Sequence, residues 1–318
     1  ITKQAEITIE CNPETVDKGK LSALREMGFN RVSFGLQSAL DQELVTLGRV
    51  HNYAKFLNAY QAAKEEGFSN INIDLMSAIP GQTMESWEET LRKVLALNPS
   101  HISAYSLILE EGTIFYNKQE ELDLPGEDTE RLMYYKTGEL LSKAGYKQYE
   151  ISNYAKPGFV CRHNTGYWTG VPYLGFGISA ASFLNGSYAG AAGADGRRFS
   201  NGRDLETYLR LLEGTENGRR EETPGGMVLR RLRQEEEAVT MDRAMEEFMF
   251  LGLRLTEGVS ERGFERRFGT KLKAVYGNVL GAMERDGLME RTGAEGTCWC
   301  LTAQGIDVSN YVLAEFLL

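Results

Sequence analysis

Three polar side chains close short β-rich stretches, and a fourth polar residue follows the second stretch. Glu10 ends Ile7–Glu10 and opens the segment ECNP, Gln37 closes Arg31–Gln37, and Asp74 lies near the end of Asn70–Leu75. Arg49 sits in TLGRVHN. Two carboxylates, an amide and a guanidinium could together hold a zwitterionic nucleoside. The carboxylates or the amide would take ribose hydroxyls, and the guanidinium would take a carboxylate in its bidentate fork. The same four groups could equally satisfy one another in a buried ion-pair network. The residues by themselves leave both alternatives open, and they single out no catalytic group.

The elements that must position these groups follow from periodicity. Val32, Phe34 and Leu36 form one face of Arg31–Gln37, and Ser33, Gly35 and Gln37 form the other. Ile7 and Ile9 alternate with Thr8 and Glu10, and Ile71, Ile73 and Leu75 alternate with Asn70, Asn72 and Asp74. Parallel strands covered by helices usually read as nearly continuous apolar runs, so a repeated polar face needs a cause. The cause inferred is an α/β fold, a partial (β/α) barrel whose interior holds a polar ligand near the strands' C-terminal ends. Helices are expected near Val16–Met27, Asp41–Leu47, Tyr53–Glu66, Glu85–Leu95 and Glu127–Ala144, with Asp41 and Thr83 as N-caps. Strands are expected at His101–Leu107 and Tyr146–Ile151.

The expected division is a barrel with its following loop region over 1–213, a charged linker or surface excursion over 214–240, and a small C-terminal domain over 241–318. Pro224-Gly225-Gly226 punctuates the charged stretch. The last segment reads as three helices, a hairpin pairing Leu288–Arg291 with Thr297–Leu301, and a final helix. That is the layout of a small, mainly helical, winged-helix-like domain.

A second chemical focus lies in Asn153–Gly177, read as a loop rich in Gly, Pro and aromatics. It contains Cys161, His163, Asn164, Tyr167 and Trp168. An imidazole is a natural axial haem ligand, and Tyr and Trp can stack on a porphyrin face. The plainer alternative, which these residues alone favour, is a loop anchored by its aromatics with His163 bonded to a carbonyl. His51 and His101 read as structural. Cys298 and Cys300 flank Trp299 as two small residues on one strand face, because a lone C-x-C carries little metal signal. Arg262, Arg266, Arg267, Lys271 and Lys273 read as a solvated helix face, not a nucleic-acid surface.

Composition sets the limits. The 318 residues are 42% hydrophobic and 25% charged, with a net charge of −10 that argues against nonspecific nucleic-acid binding. No apolar run approaches the ~20 residues of a membrane span. Four scattered cysteines do not make a disulfide scaffold and favour the cytoplasm.

Five motifs in order carry a resemblance. They are E-x-N-P (Glu10–Pro13), R-x-S-x-G-x-Q-S (Arg31–Ser38), L-G-R-x-H (Leu47–His51), N-x-D-L-M-x-x-x-P (Asn72–Pro80) and C-x-H-N-x-x-Y-W (Cys161–Trp168). The set resembles the radical S-adenosylmethionine family that contains oxygen-independent coproporphyrinogen III oxidase and the haem chaperone HemW. By that resemblance Glu10, Gln37, Arg49 and Asp74 fall on S-adenosylmethionine-binding positions. H-N-x-x-Y-W points to the chaperone branch and implies that His163, Asn164, Tyr167 and Trp168 form a haem loop, with His163 as an iron ligand. The implied partners are haem or porphyrin and a haem-accepting protein. The alternative is an oxidase of porphyrin biosynthesis.

One departure matters. The family carries a C-x-x-x-C-x-x-C loop for a [4Fe–4S] cluster and a glycine-rich G-G-T-P-type motif, and neither occurs in this chain. Enzymatic oxidoreductase chemistry of the family type is therefore an expectation for an intact parent only, with the cluster-binding part absent from this chain.

Overall fold

In a computed structural model that describes residues 2–185, 195–213 and 232–318, strand and helix alternate through the first half of the chain. The first unit, Ile1–Thr165, runs β1 (Thr8–Cys11), α1 (Lys18–Glu26), β2 (Arg31–Gln37), α2 (Asp41–Thr46), α3 (Tyr53–Glu65), β3 (Asn70–Ser77), α4 (Met84–Leu97) and β4 (His101–Ser106). It continues through α5 (Ile114–Asn117), α6 (Glu127–Lys143), β5 (Lys147–Glu150) and β6 (Asn153–Ala155). The sheet order is β1-β2-β3-β4-β6-β5. The first four strands are parallel, and β6 pairs antiparallel with both β4 and β5. Four parallel strands with helical crossovers are the partial barrel expected from the alternation.

Local chemistry sets the helix ends. Asp17 accepts from Lys20 N at the start of α1, and Asn52 accepts from Lys55 N at the start of α3. At α4 a capping box joins Thr83 and Ser86, and Asn98 ends the helix in the left-handed region at φ 56°. Parity sorts the sheet. Val32, Phe34, Leu36, Ile71, Ile73, Leu75 and Ile102 are all buried in one apolar core with Leu21, Phe56, Trp87 and Leu91 of the covering helices. The indole of Trp87 reaches α6, where its N–H donates to Thr137 Oγ1 at 3.0 Å, so the largest core side chain is also satisfied.

The segment around His163 is not one continuous loop. It holds strand β6 and a helix, α7 (Arg162–Trp168). The cap of α7 comes from far away in sequence: Glu6 accepts from Arg162 N at 3.3 Å and from His163 N at 3.2 Å. A carboxylate on the orphan N–H groups of a first turn satisfies both hydrogen bonding and the helix dipole. No local pattern announces such a cap.

The second unit, Gly166–Leu318, begins inside α7 and so starts well before residue 241. It contains a three-stranded antiparallel sheet, β7 (Ala181–Asn185), β8 (Gly196–Asn201) and β9 (Arg233–Val239), and helix α8 (Leu205–Glu213). Part of the stretch read as a charged linker or surface excursion is a strand with mostly exposed residues; residues 214–231 of that stretch lie outside the described residues. The charge of that strand has a physical cause. The glutamates of β9 meet arginines of the neighbouring strand: Arg197 pairs with Glu236 at 2.6 Å and Arg198 with Glu237 at 3.8 Å. An exposed edge strand can be fully charged.

The remainder is α9 (Met241–Gly252), β10 (Val259–Ser260), α10 (Glu261–Phe268), α11 (Leu272–Arg285), β11 (Met289–Thr292), β12 (Cys298–Leu301), α12 (Ala303–Asp307) and α13 (Ser309–Ala314). Its small sheet has the order β10-β12-β11. Met249, Phe264, Tyr276, Leu280, Trp299, Val312 and Phe316 form its core. Gly258, at φ +68°, lets the chain pass against β12, where a Cβ would lie 1.9 Å from Trp299 O. Among the described residues no helix is long and apolar enough to cross a membrane.

Candidate functional site

Register aligns the polar face. Glu10 lies opposite Ser33, Ser33 opposite Asn72, and Asp74 opposite Ser103. Asp74 is the centre of the resulting network. Its Oδ2 accepts from Ser33 Oγ at 3.0 Å and its Oδ1 from Asn72 Nδ2 at 2.7 Å. Burial raises the Asp74 carboxyl above its ordinary value, opposed by the donors Asn72, Ser33 and Ser103; the charge of Glu10 raises it further.

The layer beneath fixes Asn72. Its Oδ1 faces His101 Nδ1 at 2.5 Å and accepts from Ser103 Oγ at 3.2 Å. Burial, aided by the charge of Arg31, pushes the His101 imidazole down to about 3. The ring is therefore neutral. With Asn72 presenting an acceptor, Nδ1 carries the proton and Nε2 accepts from the Tyr149 hydroxyl at 2.8 Å. His51 is buried too, with Nε2 3.3 Å from Leu36 O. Both histidines serve the scaffold.

All four residues singled out from the sequence act on Tyr105, a residue the sequence reading passed over, Gln37 by a hydrogen bond and the other three by charge. Its hydroxyl donates to Gln37 Oε1 at 3.0 Å. Burial raises the phenol, Asp74 adds to this, the Gln37 bond and Arg49 oppose it, and Glu10 raises it again. Glu10, Gln37, Arg49 and Asp74 thus all act on one oxygen. The signal was available: His101, Ser103 and Tyr105 continue the polar parity into β4. Tyrosine, however, reads equally well as core.

Gln37 sits at a register shift in β2, in the left-handed region at φ 71°. A non-glycine residue held there indicates a position whose surroundings dictate the backbone. With its Oε1 engaged by Tyr105, the amide N–H groups of Gln37 have no acceptor among the described residues. A Cβ at Gly35 would stand 3.1 Å from Gln37 Nε2, so glycine keeps that side of the amide open. The Glu10 carboxylate and the Arg49 guanidinium have no hydrogen-bond or ion-pair partner among the described residues. The closed ion-pair network considered from the sequence does not form there. What stands on the rim is an anion, a cation, an amide donor and a fixed, buried carboxylate, which is a donor set suited to a zwitterion with hydroxyls.

Helix α7 carries the second group. His163 and Tyr167 are one turn apart, as are Asn164 and Trp168, so each pair shares a face. His163 and Tyr167 are exposed, and Asn164 and Trp168 are half-buried. The Tyr167 ring meets Tyr173 edge-on at 4.9 Å, and the Arg254 guanidinium lies 4.5 Å from the centre of a Trp168 ring. Cys161 precedes the helix as a buried thiol. Burial raises it, the charge of Arg31 and the backbone N–H of Asn164 lower it, and Glu6 raises it.

The residues present do not fit an iron–sulfur cluster. All four cysteines are free, and burial pushes the Cys11 thiol up to about 11. Among the described residues no group of three Cys, His, Asp or Glu is arranged to hold a metal. Cys298 and Cys300 lie on β12 opposite Thr292 and Glu290, with Trp299 buried between them.

Comparison with known proteins agrees with this architecture. Residues 1–94 match the Radical SAM superfamily and residues 239–308 the HemN C-terminal domain. The haem chaperone HemW of Bacillus subtilis is 35% identical over 315 residues, covering 98% of this chain and 76% of that protein. The HemW of Haemophilus influenzae is 34% identical over 98% of this chain and 74% of its own length. The coproporphyrinogen III oxidase HemN of Escherichia coli shares the fold, with a TM-score of 0.74 at 22% identity over 99% of this chain and 70% of that one. A chain so similar to HemW along almost its whole length, built on the HemN fold, belongs to the radical S-adenosylmethionine family, in its HemW/HemN branch.

Proposed function

We propose that this chain handles haem as a chaperone: it binds haem and passes it to haem-requiring proteins in the cytoplasm. The observation that carries this reading is the similarity to haem chaperones across 98% of the chain, in which the H-N-x-x-Y-W segment lies on an ordered helix. His163 is read as the axial ligand of the haem iron, with Tyr167 and Trp168 offering aromatic surface and Asn164 a hydrogen-bonding amide. The likeness to coproporphyrinogen III oxidase is one of fold and supplies no separate reading.

S-adenosylmethionine is read as the ligand of the rim. Arg49 would take its carboxylate, and Glu10, Gln37 and Asp74 its hydroxyls and ammonium. Asp74 is suited to this because Asn72 and Ser33 hold it in place before a ligand arrives. Bound at a [4Fe–4S] cluster, S-adenosylmethionine supplies a radical to family members; these residues offer no cluster site, so no such step is assigned to them.

The test is a haem titration followed by visible absorption, with His163→Ala alongside. A saturable Soret shift that weakens about tenfold or more in the variant is expected from loss of an axial ligand. Saturable binding unchanged by the substitution would remove His163 from the site. No saturable binding to the unmodified chain would overturn the haem reading.

A further inference from the structure

Within the second unit lies a cavity of about 440 Å³, apart from the rim, whose lining includes Tyr167 and Trp168 of the H-N-x-x-Y-W segment and extends well beyond them. Its size falls in the range of small-molecule sites, about 300–1,000 Å³. Three of its lining residues are aromatic rings in contact: Tyr167 meets Tyr173 edge-on at 4.9 Å, and Tyr173 meets Phe183 at a tilt at 6.3 Å. Trp168 and Phe248 add two more. A lining this rich in aromatic rings favours a flat, conjugated ligand over an aliphatic one.

Its charge is also informative. Two guanidiniums, Arg198 and Arg267, line the cavity against one carboxylate, Glu247. Arg198 spends one nitrogen on both oxygens of Glu247, at 3.0 Å each, and its other terminal nitrogen lies 3.8 Å from Glu237, beyond hydrogen-bond distance. Arg267 spends one nitrogen on Asp195, at 2.8 Å. A guanidinium has five N–H donors, so each arginine keeps donors for a further carboxylate. Gly170 preserves room for one of them, since a Cβ there would meet Arg267 Nη1 at 3.0 Å. The buried indole N–H of Trp168 is a further donor without an acceptor among the described residues.

We propose that this cavity seats a tetrapyrrole, its conjugated face against Tyr173, Phe183, Trp168 and Phe248, and its propionates on Arg198 and Arg267. The proposal rests on the haem reading above and locates the macrocycle, as distinct from the iron ligand. A flat dianion fits where a neutral flat molecule would leave the spare guanidinium donors unused and an aliphatic acid would leave the rings unstacked.

The test uses the full chain and iron-free protoporphyrin IX, whose binding needs no axial ligand, against its dimethyl ester, which lacks the charges. The acid is expected to bind about tenfold or more tightly than the ester, as loss of charge-assisted hydrogen bonds implies. Arg198→Gln/Arg267→Gln should weaken the acid by a similar factor and leave the ester unchanged. Leu251→Trp, which fills the cavity from α9, should weaken both. Equal binding of acid and ester to the unmodified chain overturns the proposal without any variant being made. So does unaltered porphyrin binding by folded Leu251→Trp. Haem binding that responds to His163→Ala, together with porphyrin binding indifferent to the cavity variants, would remove the cavity and leave the chaperone reading standing. Porphyrin binding that follows the cavity variants, with haem binding indifferent to His163→Ala, would keep the cavity and remove the iron ligand.

Discussion

Asn72→Leu puts the buried network under the rim to its hardest test. The Asn72 side chain donates to Ser33 Oγ and Asp74 Oδ1, both at 2.7 Å, and accepts from His101 and Ser103. Ser33 keeps Asp74 as its acceptor, and Ser103 also serves Asp74, so neither hydroxyl is orphaned by the change. Two losses remain. Asp74 loses a charge-assisted bond, about 1.5–3 kcal/mol, and the His101 N–H is buried without an acceptor, about 1–3 kcal/mol. Leucine returns about 1 kcal/mol through the apolar area it buries. The net expectation is a destabilisation of roughly 1.5–5 kcal/mol, a large share of the stability of a typical domain. Equilibrium urea unfolding would read it, with Trp87 as the reporter because it is the one tryptophan in residues 1–165. Trp168 and Trp299 would be replaced by phenylalanine in both proteins so that the second unit stays silent. A loss under about 1 kcal/mol would show that the Asn72 hydrogen bonds are replaced by water or by each other, and the picture of a rigid, pre-set Asp74 would fall with them.

Two further outcomes follow from the same network. The imidazole of His101 falls from 6.5 in the unfolded chain to about 3 in the folded one, so the unfolded state takes up its proton first. Stability from this group is therefore complete above pH 6.5 and is lost toward pH 3 at about 1.4 kcal/mol per unit. Between pH 6.5 and 5 the unmodified protein should lose about 2 kcal/mol more than His101→Gln in urea unfolding, and equal losses would refute the assignment. Tyr105→Phe removes the hydroxyl at which the rim groups converge and frees Gln37 Oε1. Calorimetric titration with S-adenosylmethionine should show a weakening of about fivefold, against about a hundredfold for Arg49→Ala. An unchanged affinity in both variants would place the nucleoside elsewhere.

Much of the barrel was open to reading from the chain. Alternation at Val32–Gln37 and Asn70–Leu75 sorts residues to two faces whatever lies beyond, because strand side chains alternate by geometry alone. Apolar Phe34 and Ile73 are in the core, and polar Ser33 and Asn72 are on the opposite face. The helix ends at Thr83 and Asn98 are local events within a turn, so they too were legible, the former as a cap. The winged-helix-like hairpin reads from a glycine-containing turn between two short strands and appears as β11 and β12.

Tertiary structure decided what depends on partners distant in sequence. The segment around His163 is helical because Glu6, more than 150 residues earlier, supplies the cap. The charged strand β9 pairs with β8, where Arg198 stands opposite Glu237 and Arg197 reaches Glu236 on the diagonal. Tyr105 joins the rim only through the register of β3 with β4 and its reach to Gln37 across the intervening strand. Whether Glu10 and Arg49 neutralise each other or stay open is a question of ångströms, which residue type cannot answer. By itself the sequence determined the parity of its strands, the local caps and the family motifs, since these depend on neighbours a few residues apart. The folded chain alone decided which polar groups meet, which remain unpaired, and where a cavity with two partly free guanidiniums opens, since these depend on long-range packing.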